Sequence, residues 1–131
     1  MARIFISHSS QDLWVARQIA AEIRRLGAET FLDVADIAHG DDFEEEILKA
    51  EPGCSELLVL LTPWSLKRTW IWLEIGFFRH SRKRIVRVLY GLTAQEISTD
   101  PDVASVIKKL DMVELNNLDS YLTQLNKRIT G

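Results

Sequence analysis

Apolar positions along this chain follow two rhythms, one alternating or unbroken and the other close to the helical period. Arg3-Ile4-Phe5-Ile6-Ser7 is short, apolar and β-prone, which predicts a first strand. Ser9 and Ser10 then offer N-caps, with Asp12 placed for a first-turn contact. Val15, Ile19, Ile23 and Leu26 recur at helical spacing, while Arg17, Glu22, Arg24 and Arg25 take the wet side. Gly27 follows as a natural C-cap. Glu29-Thr30-Phe31-Leu32 reads as a second strand and the polar stretch from Asp33 to Asp42 as a loop. Phe43, Ile47 and Ala50 predict a short second helix, closed by Pro52-Gly53. Leu57-Leu58-Val59-Leu60-Leu61 is unbroken apolar sequence, the pattern of a central strand buried on both faces. Thr62-Pro63-Trp64-Ser65 breaks it and leads into a further helix. Ile85-Val86-Arg87-Val88-Leu89 predicts a fourth strand. Val103, Val106, Ile107 and Leu110 mark another helix, and Met112-Val113-Glu114-Leu115 a short fifth strand. Leu118, Leu122, Leu125 and Ile129 outline a final amphipathic helix, capped by Asn116 or Asn117.

Strands that alternate with helices in this way specify an α/β domain, a flavodoxin-like doubly wound five-stranded parallel sheet with helices on both faces. Ligands in such sheets bind outside the carboxyl ends of the strands, where the strand order reverses. The residues at those ends are Ser7-His8-Ser9-Ser10, Asp33 onward, and Thr62-Pro63-Trp64-Ser65. The next helix carries the most unusual stretch of the chain, Trp70-Ile71-Trp72-Leu73-Glu74-Ile75-Gly76-Phe77-Phe78, with one carboxylate and no other charge. A helix apolar on every side reads as buried, and a lone acid on it is costly unless its charge is used or paired. Glu74 follows Trp70 by one turn, so ring and carboxylate share a face suited to a ligand with a flat ring and sugar hydroxyls.

The 131 residues make one domain with one core, and a hydrophobic fraction of 47% fits a soluble globular protein. A formal net charge of −3 does not argue for direct nucleic-acid binding. The single cysteine, Cys54, excludes an internal disulfide and a multi-cysteine zinc site. His8, His39 and His80 lack ligand spacing, so no metal is expected. No signal peptide or membrane-length apolar run is present, which reads as a cytoplasmic protein without a membrane segment. The ending Thr130-Gly131 suits one module of a longer protein or assembly. No GxGxxG follows the first strand and no P-loop or Gly-x-Ser-x-Gly elbow occurs. A phosphoacceptor receiver of the same fold needs acids after the first strand and an aspartate ending the third; Ser-His-Ser-Ser and Leu61-Thr62 stand there.

With these residues in place the chain resembles a TIR domain. Phe5-Ile6-Ser7-His8-Ser9-Ser10-Gln11-Asp12 resembles the first TIR motif. Phe31-Leu32-Asp33 through Gly40-Asp41-Asp42-Phe43 is similar to the second strand and its loop. Leu58 to Ser65, followed by Trp70-x-x-x-Glu74, resembles the segment with the family's catalytic glutamate. The resemblance runs in order from about Arg3 to Phe78 and weakens thereafter. It implies one of two activities: hydrolysis or cyclisation of NAD⁺, or signalling by TIR–TIR contact alone. The bacterial-looking Ser-His-Ser-Ser-Gln-Asp box and the Trp70/Glu74 pair favour a bacterial-type, NAD-consuming enzyme, with a role in antiviral defence.

On that resemblance Glu74 is catalytic, either stabilising the oxocarbenium ion as nicotinamide leaves or holding the ribose hydroxyls. Trp70 stacks on a flat ring of the substrate, and Phe5, His8, Ser9 and Asp33 line the pocket at the strand ends. The helix beginning near Ser9 presents N–H groups to a phosphate. NAD⁺ is then a substrate, no cofactor is expected, and the partners are other TIR domains and a further sensor domain or subunit. The resemblance implies activity that depends on self-association, because in such modules a neighbouring subunit closes the pocket; head-to-tail contacts that do not close give filaments.

Each residue also has a plainer role. Glu74 can pair with Lys67, Arg68 or Arg79 at a helix rim, Trp72 reads as core, and Trp64 as surface or assembly contact. His8 can be only a strand-end residue, and Asp33 only a turn acid. Arg79, Arg82, Lys83, Arg84 and Arg87 read mostly as a solvated basic helix end. Two alternative functions stay open: a non-enzymatic TIR interaction and signalling scaffold, and a nucleoside deoxyribosyltransferase-like enzyme of the same fold.

Overall fold

The computed structural model describes residues 2–32, 48–67, 69–93, 95 and 112–131; for Lys67, Thr69, Trp70 and Leu73 it describes the backbone alone. The expected loop Asp33–Asp42, the start of the helix at Phe43 and Ile47, and the helix of Val103 to Leu110 lie outside the described residues. Five strands form in chain order: β1 (Arg3–Ser7), β2 (Glu29–Leu32), β3 (Glu56–Leu61), β4 (Arg84–Leu89) and β5 (Met112–Glu114). All pair in parallel, in the spatial order β2-β1-β3-β4-β5. The order reverses between β1 and β3, which puts the ligand crevice of this fold class at their carboxyl ends.

Alternation along the strands divides the apolar residues between two layers. Ile4, Ile6, Leu58, Leu60, Val86 and Val88 face α1 (Leu13–Arg25) and α3 (Leu118–Thr130), where they meet Ile19, Ile23 and Leu125. Phe5, Leu57, Val59, Leu61, Ile85 and Leu89 face α2 (Thr69–His80), meeting Ile71, Ile75 and Phe78. β3 is buried along its whole length because both layers close over it, as its unbroken apolar run predicts.

The helix ends follow local chemistry. Gly27, just past α1, takes φ +96, a left-handed conformation that costs glycine little. α1 itself starts at Leu13, after a 3-10 turn over Ser10–Asp12, and so begins later than the Ser9 or Ser10 caps predict. Ser9 gives its side chain to Asp12 instead of to a backbone N–H. No helix among the described residues is long and apolar enough to cross a membrane.

Candidate functional site

At the carboxyl end of β1 the chain runs through Ser7, His8 and Ser9, all wholly buried. Asp12, 3% exposed, is the hub that fixes this turn. Its Oδ2 accepts hydrogen bonds from Ser9 Oγ at 2.5 Å and from Thr62 Oγ1 at 2.6 Å. Thr62 closes β3, so one carboxylate oxygen ties the ends of the two central strands together. Charge-assisted bonds of this length are about twice as strong as neutral ones. The turn after β3 is locked in its own right: the Thr62 N–H donates to Ser65 Oγ at 2.8 Å and the Ser65 N–H to Thr62 Oγ1 at 3.2 Å. His8 Nδ1 donates to the Ser9 carbonyl at 2.8 Å, because a carbonyl can only accept. Ser7 Oγ has no hydrogen-bond partner among the described residues.

Gly91 takes φ +73, a left-handed conformation that favours glycine, while a Cβ there would meet Pro63 Cδ at 3.4 Å, an ordinary contact. Trp64 and Tyr90, which follow β3 and β4 at this same end, stand 50% and 45% exposed.

α2 enters from this rim. It buries Ile71, Glu74, Ile75 and Phe78 at the spacing of one stripe, while Trp72 and Phe77 are half-buried and Gly76, Arg79 and His80 are exposed. The sequence predicts a helix apolar all round; the fold buries one face of it and leaves Gly76 at the surface. Glu74 lies in the middle of the buried stripe and is 0% exposed. It therefore lies under the helix and not at a rim beside the exposed Arg79. Trp72 donates its Nε1–H to the Leu66 carbonyl at 3.3 Å, so it anchors the helix entry as well as packing. The Trp70 backbone sits one turn before Glu74, and its side chain lies outside the described atoms; Asp33 lies wholly outside them.

Phe5 is wholly buried in the α2-side layer, its ring 4.9 Å from Phe31 and 5.3 Å from Phe78. The described site residues thus form two groups. His8 and Ser9 join Asp12 and Thr62 at the strand ends, while Phe5 and Glu74 belong to the layer beneath α2. Sequence reasoning missed the bridge made by Asp12, Thr62 and Ser65. The only signal for it was the three-residue spacing of Ser9 and Asp12, which also reads as an ordinary cap.

The basic cluster after α2 departs most from expectation. Arg79, Arg82 and Arg84 are exposed, but Arg87 is wholly buried. It stands between Ile85 and Leu89 on the α2 side of β4, and the parity of a strand put it there. Lys83 pairs with Glu51 at 3.1 Å, donates to the Glu51 carbonyl at 2.6 Å and lies 5.5 Å over the Phe78 ring. Close by, burial pushes the Cys54 thiol up to about 11, against the pull of Arg3 and Lys83. Such a thiol is inert at neutral pH.

A doubly wound parallel sheet whose buried polar residues gather where the strand order reverses defines an α/β domain of the flavodoxin-like class. Residues 4–128 match the family model described as TIR domain, and the chain belongs to that family. No curated protein matches it. Among solved structures it is similar to the TIR domain of the Toll-related receptor TRR-2 from Hydra magnipapillata, with 18% identity, 98% of each chain covered and a TM-score of 0.73. It is also similar to the TIR domains of the activated Roq1 resistosome, which recognises the pathogen effector XopQ, with 16% identity, 98% of this chain and 99% of that one covered, and a TM-score of 0.74. A metazoan TIR-STING receptor from C. gigas, solved with 2′,3′-cGAMP, matches at 22% identity over 86% of this chain and 34% of that one, with a TM-score of 0.67. At these identities the likeness establishes the fold.

Proposed function

We propose that this TIR domain is an NAD⁺ glycohydrolase or ADP-ribosyl cyclase of bacterial type, switched on by self-association in immune signalling. The observation that carries this reading is Glu74. It is a wholly buried acid on the helix that leaves the carboxyl end of the central strand. Such an acid is retained at a cost of several kcal/mol unless its charge does something. As the nicotinamide–ribose bond breaks, positive charge develops on the ribose carbon, and a fixed carboxylate in a poorly solvated layer stabilises it strongly. On this reading Trp70, one turn earlier, would supply the flat surface for a ring, and His8 and Ser9, buried at the carboxyl end of β1, would meet ribose or phosphate oxygens once the crevice opens. In this conformation the carboxylate is covered, so substrate reaches it only after the surrounding chain rearranges. Contact with a neighbouring copy is the trigger.

Purified protein at high concentration, or driven to assemble, should release nicotinamide from NAD⁺, and Glu74→Ala should not. Equal release by both proteins would end the catalytic assignment. A second reading is favoured by a separate observation: Trp14 is 70% exposed and Trp64 50% exposed. Large exposed aromatics mark contact surfaces, and a TIR domain that only scaffolds would use them. In that case partner binding survives loss of Glu74 and fails when Asp33–Asp42 is altered.

A further inference from the structure

The layer between α2 and the sheet holds two ionisable side chains, an acid and an arginine. Glu74 occupies the centre of the buried stripe of α2, flanked by Ile71, Ile75 and Phe78. Arg87 occupies the centre of the facing side of β4, flanked by Ile85 and Leu89, and is the largest wholly buried side chain described. α2 packs on both β3 and β4. The side chains that β1 and β3 turn toward α2 are Phe5, Ser7, Leu57, Val59 and Leu61, none of them charged. Glu56 points the other way, to Arg128. Glu51 and Lys83 neutralise each other at the far end of the layer, and Arg79 and His80 on α2 itself are exposed. At the strand ends Asp12 holds two hydroxyls and His8 bonds the Ser9 carbonyl. Among the described residues, Arg87 is therefore the wholly buried cation of Glu74's apolar layer, which Lys83 enters only at its half-buried far end. Two charges taken out of water into one layer interact across far greater distances than they would in solvent.

We propose that Arg87 is the positioning residue for Glu74. Its buried positive charge keeps the carboxylate ionised inside an apolar layer, ready to face the cation that forms on the ribose. The functional half of this rests on the NAD⁺-cleavage reading; the electrostatic half does not. An acid buried without such a charge takes up a proton and loses its use as an anion.

The test is a titration of the Glu74 carboxyl, followed by NMR on the full chain with labelled glutamate, in wild type, Arg87→Met and Arg87→Lys. Arg87→Met should raise the midpoint by one pH unit or more, and Arg87→Lys should restore most of the difference. An unmoved midpoint in Arg87→Met overturns the proposal. Should Arg87→Met fold poorly, the double variant with Glu74→Gln should melt at a higher temperature than Arg87→Met alone; strictly additive losses overturn the proposal. In an active assembly, Arg87→Met should shift the acid limb of the kcat profile to higher pH and leave KM unchanged. If wild-type assemblies cleave no NAD⁺ while the midpoint moves, the enzymatic reading fails and the charge coupling stands. If NAD⁺ is cleaved and the midpoint does not move, the coupling fails alone.

Discussion

Glu56 and Glu74 are two buried acids, one on the central strand and one on the helix that packs over it, and they differ in what surrounds them. Glu56 opens β3 at the amino end, 4% exposed. Tyr121 donates to its Oε2 at 2.8 Å, and Arg128 reaches both carboxylate oxygens at 3.0 Å. All three contacts come from α3, so the acid fastens that helix to the central strand. Glu74 is set among apolar side chains on a helix that starts at the carboxyl rim, in a layer shared with Arg87. Burial alone does not separate a structural acid from a reactive one. Glu56 is held from α3 at the amino end of β3, whereas Glu74 sits on the helix that starts at the carboxyl rim, where this fold class binds ligands.

Glu56→Ala should have the largest effect on folding. It strands a partly buried arginine and a buried tyrosine hydroxyl, and breaking such a pair costs about 3–5 kcal/mol. Urea unfolding would read the loss, and nicotinamide release per folded molecule should not change. Glu74→Gln should do the reverse. Nicotinamide release should fall by about a hundredfold or more, roughly 2.7 kcal/mol of transition-state stabilisation, beyond anything the fraction unfolded explains. If Glu56→Ala abolished turnover in folded protein, the contrast between the two acids would be wrong.

Tyr121→Phe is gentler, removing one donor while Arg128 keeps Glu56 paired. A loss of about 1–2 kcal/mol in unfolding free energy is expected. Alkaline pH probes both ends together. Burial raises the Cys54 thiol from 9.0 to about 11 on the α2 side. Burial and then the Glu56 carboxylate raise the Tyr121 hydroxyl on the α3 side. Below pH 9 the thiol is protonated whether folded or not, and stability is unaffected. Above it the unfolded chain gives up the proton while the fold retains it, so stability falls between pH 9 and about 11, by up to about 2 kcal/mol. Cys54→Ala should flatten that slope, and Tyr121→Phe should flatten the loss that follows at higher pH. The smallest change in folding is expected for Trp14→Ser, within about 0.5 kcal/mol, because that ring is largely in solvent, followed by Trp64→Ser, whose residue is half exposed. Light scattering should nonetheless show weaker self-association.

Much of this was legible in the chain. The unbroken run Leu57–Leu61 reads directly as a strand covered on both faces, and the alternation of strands and helices specifies the doubly wound sheet. Periodicity also placed α1 and α3, because a helix that packs on one side must repeat its apolar residues every three or four positions, while α2 was read from an apolar run after the break at Thr62 to Ser65. Glu74 stood out as a charge that an apolar helix has little reason to keep. What the chain could not disclose were pairings between residues far apart in sequence. Asp12 meets Thr62, and Glu56 meets Tyr121 and Arg128, across 50, 65 and 72 residues. No local pattern encodes such contacts; the sheet order creates them. Arg87 was misread for the same reason. Beside Arg79, Arg82, Lys83 and Arg84 it looks like one more solvated cation. Only the parity of β4 and the helix laid over it decide that this arginine is driven wholly into the layer that holds Glu74, where Lys83 reaches only the half-buried end.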